Sequence, residues 1–194
     1  PAYHYFNRCA VAGCDETTHN NRYLDELEPY LTACGIEFRR GPYRTPRSDE
    51  DGTAMMLQAV RESDDWGADV HYVSHTNAFD GSVRGYRPMI YPGSSRGEQL
   101  AAAIMAQRRQ IYDQPISLTE RSDLYELRVP NAVSYYEEHV FHDNPDDCAW
   151  FHNGGMELMV EETAQALCEL LDVPYAPAQH ITPTNRLYRV QVGA

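Results

Sequence analysis

From residue 36 onward the sequence alternates short runs rich in β-branched and aromatic residues with longer stretches whose apolar residues recur at helical spacing. Alternation of this kind restricts the chain to an α/β fold: a three-layer α/β/α arrangement around a central, mostly parallel sheet of mixed direction, with right-handed crossovers. The spacing of Tyr23, Leu24, Leu27 and Leu31, closed by Gly35, predicts a first helix over 15–33. Strands follow at 36–38, 69–74, 86–91 and 133–136, and helices at 54–62 and 97–112. Pro88 argues that its strand lies at an edge or carries a bulge. Asn144-Pro145-Asp146-Asp147 reads as a helix cap, a proline at the first helical position and an acidic first turn. That helix breaks at Gly154-Gly155, and a last helix runs over 156–171. Residues 41–52, rich in Pro, Arg, Ser and Asp, read as a loop.

At 194 residues, 42% hydrophobic and 23% charged, the sequence has the composition of a soluble globular domain with a sizeable core. One catalytic-size domain is expected over 1–173, and the proline-containing stretch 174–186 reads as a linker. The formal net charge of −13 argues against nucleic acid and anionic membranes as partners, because both reward Lys and Arg. No apolar run approaches the roughly 20 residues of a membrane span. Residues 1–4 lack the basic start and apolar stretch of a secretory signal. Cys9, Cys14, Cys34, Cys148 and Cys168 form no C-x-x-C pair, so a structural zinc knuckle or redox motif is not expected. Cys9 and Cys14 read as a pair or as buried thiols, Cys34 and Cys168 as core.

Eight histidines and several paired acids make metal chemistry worth testing. His71 and His75 would share one face of a helix, but Tyr72 and Val73 between them favour a strand, which sets them about 13 Å apart. One ion therefore takes at most one of the two. His75 is favoured, since it stands at the strand's C-terminal end, where sites of open α/β sheets collect. Glu137 and Glu138 follow a strand and point to opposite faces, so one can enter a cleft as a general base while the other meets solvent. Glu16, near the start of the first helix, is a third candidate, with His4 upstream. Catalytic zinc needs three protein ligands, one open position and a carboxylate to manage the water proton.

Three ordered segments carry a resemblance. Ser74-His75-Thr76-Asn77-Ala78-Phe79-Asp80-Gly81, continuing to Arg84-Gly85, resembles the S-I-H-x-N-A segment of zinc-dependent N-acetylmuramoyl-L-alanine amidases of the amidase-3 type. Phe141-His142-Asp143-Asn144-Pro145-Asp146-Asp147 resembles the segment that follows the catalytic glutamate in that family, which places Glu138 in that role. Glu16-Thr17-Thr18-His19-Asn20 resembles the family's ligand-bearing helix start. The usual opening, an apolar strand ending in G-H-G-G, is missing, and the first ligand falls to His4 or to His19, with His4 favoured.

The resemblance implies an autolysin or phage-endolysin catalytic domain that uses one Zn2+ to cut the amide between N-acetylmuramic acid and L-alanine in bacterial peptidoglycan. His4, Glu16 and His75 would hold the ion, Glu138 would move the proton, and Asn77 and His142 would touch substrate. The chain would act as a monomer, secreted or wall-associated, with no nucleic acid or membrane partner. Residues 187–194, Leu-Tyr-Arg-Val-Gln-Val-Gly-Ala, resemble the opening strand of SPOR-type wall-binding domains. Two rival readings are another zinc peptidase acting on wall peptides and a non-catalytic wall-binding module.

Overall fold

The alternation becomes a six-stranded sheet in the order β1-β6-β2-β5-β3-β4. The structure is a computed structural model, and it describes residues 8–11, 14–42, 46–176 and 188–193. In chain order these residues form α1 (Glu16–Ala33), β1 (Ile36–Arg40), α2 (Asp49–Trp66), β2 (Val70–Asn77), β3 (Arg87–Ile90), α3 (Ser95–Ile111) and β4 (Thr119–Glu120). They continue through α4 (Tyr125–Arg128), β5 (Val133–Phe141), α5 (Pro145–Trp150), α6 (Met156–Leu171) and β6 (Tyr188–Gly193). All strand pairs are parallel except β3 with β5. No helix among the described residues is long and apolar enough to cross a membrane.

Local chemistry sets the element boundaries. Asp15 caps α1 by accepting from the Thr18 N–H at 2.8 Å. α2 begins at Asp49 inside the stretch expected to be a loop, because Ser48 caps it at 3.1 Å from the Asp51 N–H. Asp49, Glu50 and Asp51 then place negative charge on its positive end. β2 and β5 run on to Asn77 and Phe141, several residues beyond their apolar stretches. Both are interior strands covered on two faces, so their polar residues are buried rather than terminal. Pro88 leaves its mark one strand in from the edge. Tyr86 bridges Ile116 and Met89 pairs with Thr119 in the same register, but Pro88 between them has no N–H to give, and the ladder to β4 is interrupted there.

Side-chain alternation assigns the faces. Tyr72 of β2 reaches Tyr23 of α1, and Tyr135 and Glu137 of β5 reach Tyr86. On this face α1, α3 and α6 pack together over the main apolar core, which includes Leu24, Leu27, Leu31, Leu100, Ile104, Met159, Val160 and Leu167. His71 and His75 point to the opposite face, towards α4, where the His75 ring stacks on Tyr136 at 4.9 Å. Tyr188–Gly193, where the sequence resembles the start of a wall-binding domain, lies as β6 between β1 and β2.

Candidate active site

The C-terminal ends of β2 and β5, together with the first turn of α1, gather three of the residues singled out from sequence. His75 and Glu138 are direct neighbours across the β2–β5 pairing. The His75 Nδ1–H donates to Glu16 Oε1 at 2.7 Å. Burial alone would raise the Glu16 carboxyl, but the hydrogen bond and charge of His75 outweigh it and hold the group down at about 2. Burial disfavours the charged imidazole of His75, yet Glu16, with Glu138 and Glu126 behind it, lifts it to about 9. Glu138 behaves differently. Burial pushes it up to about 7 against the pull of His75, and its Oε2 is buried without a hydrogen-bond partner. A carboxyl near neutrality with an unsatisfied oxygen beside an ionised Glu–His pair is equipped to exchange a proton at physiological pH.

The expected split between Glu137 and Glu138 holds in direction, but Glu137 does not meet solvent. It is fully buried on the α1/α3/α6 face, where the Tyr86 hydroxyl donates to it and Arg108 Nη2 lies 3.9 Å away. Burial holds its carboxyl well above the usual range. It is a core group, packed where α3 and α6 close over the sheet.

His4 lies outside the described residues. His19 packs its ring against His152 and Phe151. His71 sits fully buried, 3.7 Å from Glu126. His139, also fully buried, has Nε2 2.8 Å from Ser74 Oγ on the core face. Asn77 keeps its side chain local, its Oδ1 accepting from the Ala78 N–H at 2.9 Å, while its carbonyl accepts from the His142 N–H at 2.8 Å. The His142 ring is 2% exposed and lies 2.9 Å from Thr76 Oγ1.

The segment after Glu138 acts as a clamp. Asp143 Oδ2 accepts from the N–H groups of Phe79 and Gly81, each at 2.9 Å, and Asn144 Nδ2 donates to the Gly81 carbonyl at 2.9 Å. Buried Asp147 accepts from Arg84, Gly85, Tyr112 and Phe141. The two motifs are therefore one tied unit: the residues after β5 fix the loop after β2. Beside that loop a cleft of about 550 Å3 opens, lined by Arg8, Cys9, Ala10, Ala78, Phe79, Asp80, Gly81 and Asp143. Phe79 stands 68% exposed there.

Glu16 and His75 offer the oxygen and imidazole nitrogen that a catalytic zinc takes, so the donor chemistry fits that ion, while at 2.7 Å the two atoms are hydrogen-bonded to each other, closer than two ligands of one ion stand. Among the described residues, the groups of three or more candidate ligands lie elsewhere: Cys9, His19 and Cys148, and Cys14, His19 and His152. The absence of C-x-x-C pairs had argued against such a convergence. The signal was nevertheless present as C-x4-C-x4-H over 9–19 and C-x3-H over 148–152.

No protein-family model matches the chain, and no curated protein matches it. Solved structures do. The CwlD amidase from Clostridioides difficile, in complex with the GerS lipoprotein, superposes with a TM-score of 0.74 at 14% identity, covering 82% of this chain and 88% of that one. The catalytic domain of CwlV, an N-acetylmuramoyl-L-alanine amidase from Bacillus (Paenibacillus) polymyxa var. colistinus, gives 0.70 at 14% identity, covering 84% and 88%. The N-acetylmuramyl-L-alanine amidase Ami1 from Mycobacterium smegmatis gives 0.68 at 18% identity, covering 86% and 81%. The shared property is the fold. Identities this low carry the architecture and leave the chemistry to be argued from the site.

Proposed function

We propose that this protein hydrolyses the amide between N-acetylmuramic acid and the L-alanine of the stem peptide in bacterial peptidoglycan. The observation that carries the reading is the trio at the sheet's end: Glu16 and His75 in contact, with Glu138 beside them at about 7 and one oxygen free. The fold shared with proteins described as N-acetylmuramoyl-L-alanine amidases supports the choice of substrate. Glu16 and His75 would hold a zinc ion, and His4 is the proposed third ligand. Zinc in such a site supplies a Lewis acid that polarises the scissile carbonyl and lowers the pKa of water.

The protein's own part is positional and acid–base. The free oxygen of Glu138 takes a proton from the attacking water as it adds to the carbonyl carbon. The same carboxyl returns that proton to the leaving nitrogen as the C–N bond breaks, giving a free carboxylate on the lactyl group and a free amine on alanine. Asn77 and His142 are the proposed substrate contacts. Asp143 and Asn144 hold the 78–81 loop and so fix the cleft wall. The place of action is the cell wall.

Glu138→Gln keeps the shape of the side chain and removes the base. Digestion of purified peptidoglycan, followed by analysis of released peptides, should show intact stem peptides with new alanine amino termini from the wild type. Turnover should drop by about 10²–10⁴-fold in the variant. Undiminished turnover would refute the role of Glu138, and release of cross-bridge or glycan fragments would refute the bond assignment.

A further inference from the structure

Three of the five cysteines converge with two histidines where residues 8–11 and 14–15 meet α1 and the end of α5. Arg8 bridges Asp15 in antiparallel fashion, and the Cys9 N–H donates to the Cys14 carbonyl at 3.3 Å, so Cys9 and Cys14 are neighbours across this pairing. His19 follows one turn into α1. Cys148 sits in α5, and His152 lies in the widened turn 151–155 that joins α5 to α6. Cys9 Sγ is 3.4 Å from His19 Nε2, Cys14 Sγ is 3.3 Å from His152 Nε2, and the two Nε2 atoms are 2.7 Å apart. The ligand atoms of Cys9, His19 and Cys148 all lie within 4.8 Å of one another. So do those of Cys14, His19 and His152. His19 is 1% exposed and Cys148 fully buried.

The Cys9–His19 separation matches an edge of a metal tetrahedron, and His19 joins the two groups. With Zn–S of about 2.3 Å and Zn–N of about 2.0 Å, tetrahedral geometry sets sulfur–nitrogen edges near 3.5 Å and a nitrogen–nitrogen edge near 3.3 Å. The Cys9–His19 distance of 3.4 Å fits a sulfur–nitrogen edge, while the 3.3 Å between Cys14 and His152 is a hydrogen bond to sulfur. The nitrogen pair is too close for both rings to bind one ion as placed, so one imidazole is a ligand and the other a neighbour. His19 belongs to both groups and is the more deeply buried of the two histidines. The remaining cysteines provide a contrast: Cys34 and Cys168 meet at the C-terminal ends of α1 and α6, where the Cys34 thiol donates to the Ala176 carbonyl.

We propose that Cys9, Cys14, His19 and Cys148 form a closed structural site for a thiophilic divalent cation of the zinc type, with the His152 Nε2–H donating to the Cys14 sulfur. Three thiolates and one imidazole are a recurring set for structural zinc, and a closed set leaves no position for substrate. As each sulfur–metal bond forms, its thiol proton passes to solvent, so no oxidant or reductant is needed. The site would fasten residues 8–11 and 14–15 to α1 and to the end of α5, some 130 residues away in sequence. Glu16 stands two residues after Cys14 and three before His19, so the same staple would fix the carboxylate that meets His75.

The test is Co2+ titration of the reduced, chelator-stripped protein, read in the near-ultraviolet where thiolate-to-cobalt charge transfer absorbs. An oxygen–nitrogen site such as Glu16 with His75 has no thiolate and gives no such band, so this readout is independent of the catalytic proposal. The band should saturate at one equivalent in wild type, persist in His75→Ala, and collapse in Cys14→Ser and Cys148→Ser. A folded wild type without the band, or serine variants that keep it, would overturn the site. Because a serine variant can fail to fold, reaction of wild type with a thiol reagent supplies a second reading. Zinc should slow modification of the partly exposed Cys9 and Cys14 at least tenfold, and unchanged reactivity would also overturn it.

Discussion

Asp147 offers the sharpest test of how the two motif segments cooperate. Its side chain is fully buried, and each oxygen serves two donors. Oδ1 accepts from Arg84 Nε and the Tyr112 hydroxyl, both at 2.7 Å, and Oδ2 accepts from the Gly85 N–H at 3.0 Å and the Phe141 N–H at 3.1 Å. Asp147→Ala strands two backbone N–H groups and the hydroxyl of a 3% exposed tyrosine. Each stranded buried donor costs about 1–3 kcal/mol, while Arg84, nearer the surface, regains water. The sum is about 3–9 kcal/mol, which for a domain of this size lowers Tm by roughly 6–36 °C. Asp147→Asn discriminates between causes. It preserves volume but has one acceptor oxygen, so one donor pair would face an NH2 group, and about 2–4 kcal/mol should be lost. Urea unfolding followed by fluorescence measures both variants. If Asn lies within about 1 kcal/mol of wild type while Ala is several lower, Asp147 acts through packing and the hydrogen-bond argument fails.

The raised carboxyl of Glu138 has a consequence for stability as well as catalysis. Its folded pKa of about 7 exceeds the ordinary value of 4.5, so the folded state holds this proton more tightly than the unfolded state does. The stabilisation is full below about 4.5 and is lost as pH rises through 7, a difference of about 3 kcal/mol. In metal-stripped protein, Glu138→Gln should therefore gain stability over wild type between pH 5 and 8; parallel unfolding curves at the two pH values would contradict it. Two glycines separate steric from conformational cost. Gly85 (φ 130°) would put an added Cβ against the Pro115 carbonyl oxygen, so Gly85→Ala should cost more than about 2 kcal/mol in urea unfolding. Gly154 (φ 104°) has open space around it, so Gly154→Ala should cost only about 1 kcal/mol, from its backbone angle.

The helices were the most legible part of the sequence, because caps and apolar spacing are local signals. Asp15 and Asn144 each bond their helix's first N–H groups, and Gly154 takes the positive φ that interrupts the path from α5 to α6, whereas the Ser48 cap, inside a stretch whose Pro, Arg, Ser and Asp content reads as a loop, did not stand out. Strand ends were less legible for a physical reason. A strand covered on both faces can bury Ser74, Glu137 and His139 by pairing them within the core, so polarity no longer marks where it stops. His75, Glu138 and Glu16 were readable as candidates from order along the chain, whereas their contact depends on parallel pairing of strands some 60 residues apart. The cysteine–histidine cluster was not legible because it lacks C-x-x-C, the spacing of a knuckle closed by one turn. Here the antiparallel bridge between Arg8 and Asp15 brings Cys9 and Cys14 together, the first turn of α1 adds His19, and α5 returns Cys148 across the fold. Since α5 is itself set by Asn144 and Asp147, the clamp that fixes the cleft loop also delivers the third thiol. Loosening that clamp with Asp147→Asn should therefore weaken Co2+ charge transfer as well as stability, and a full-strength band in a destabilised variant would mean the two devices are independent.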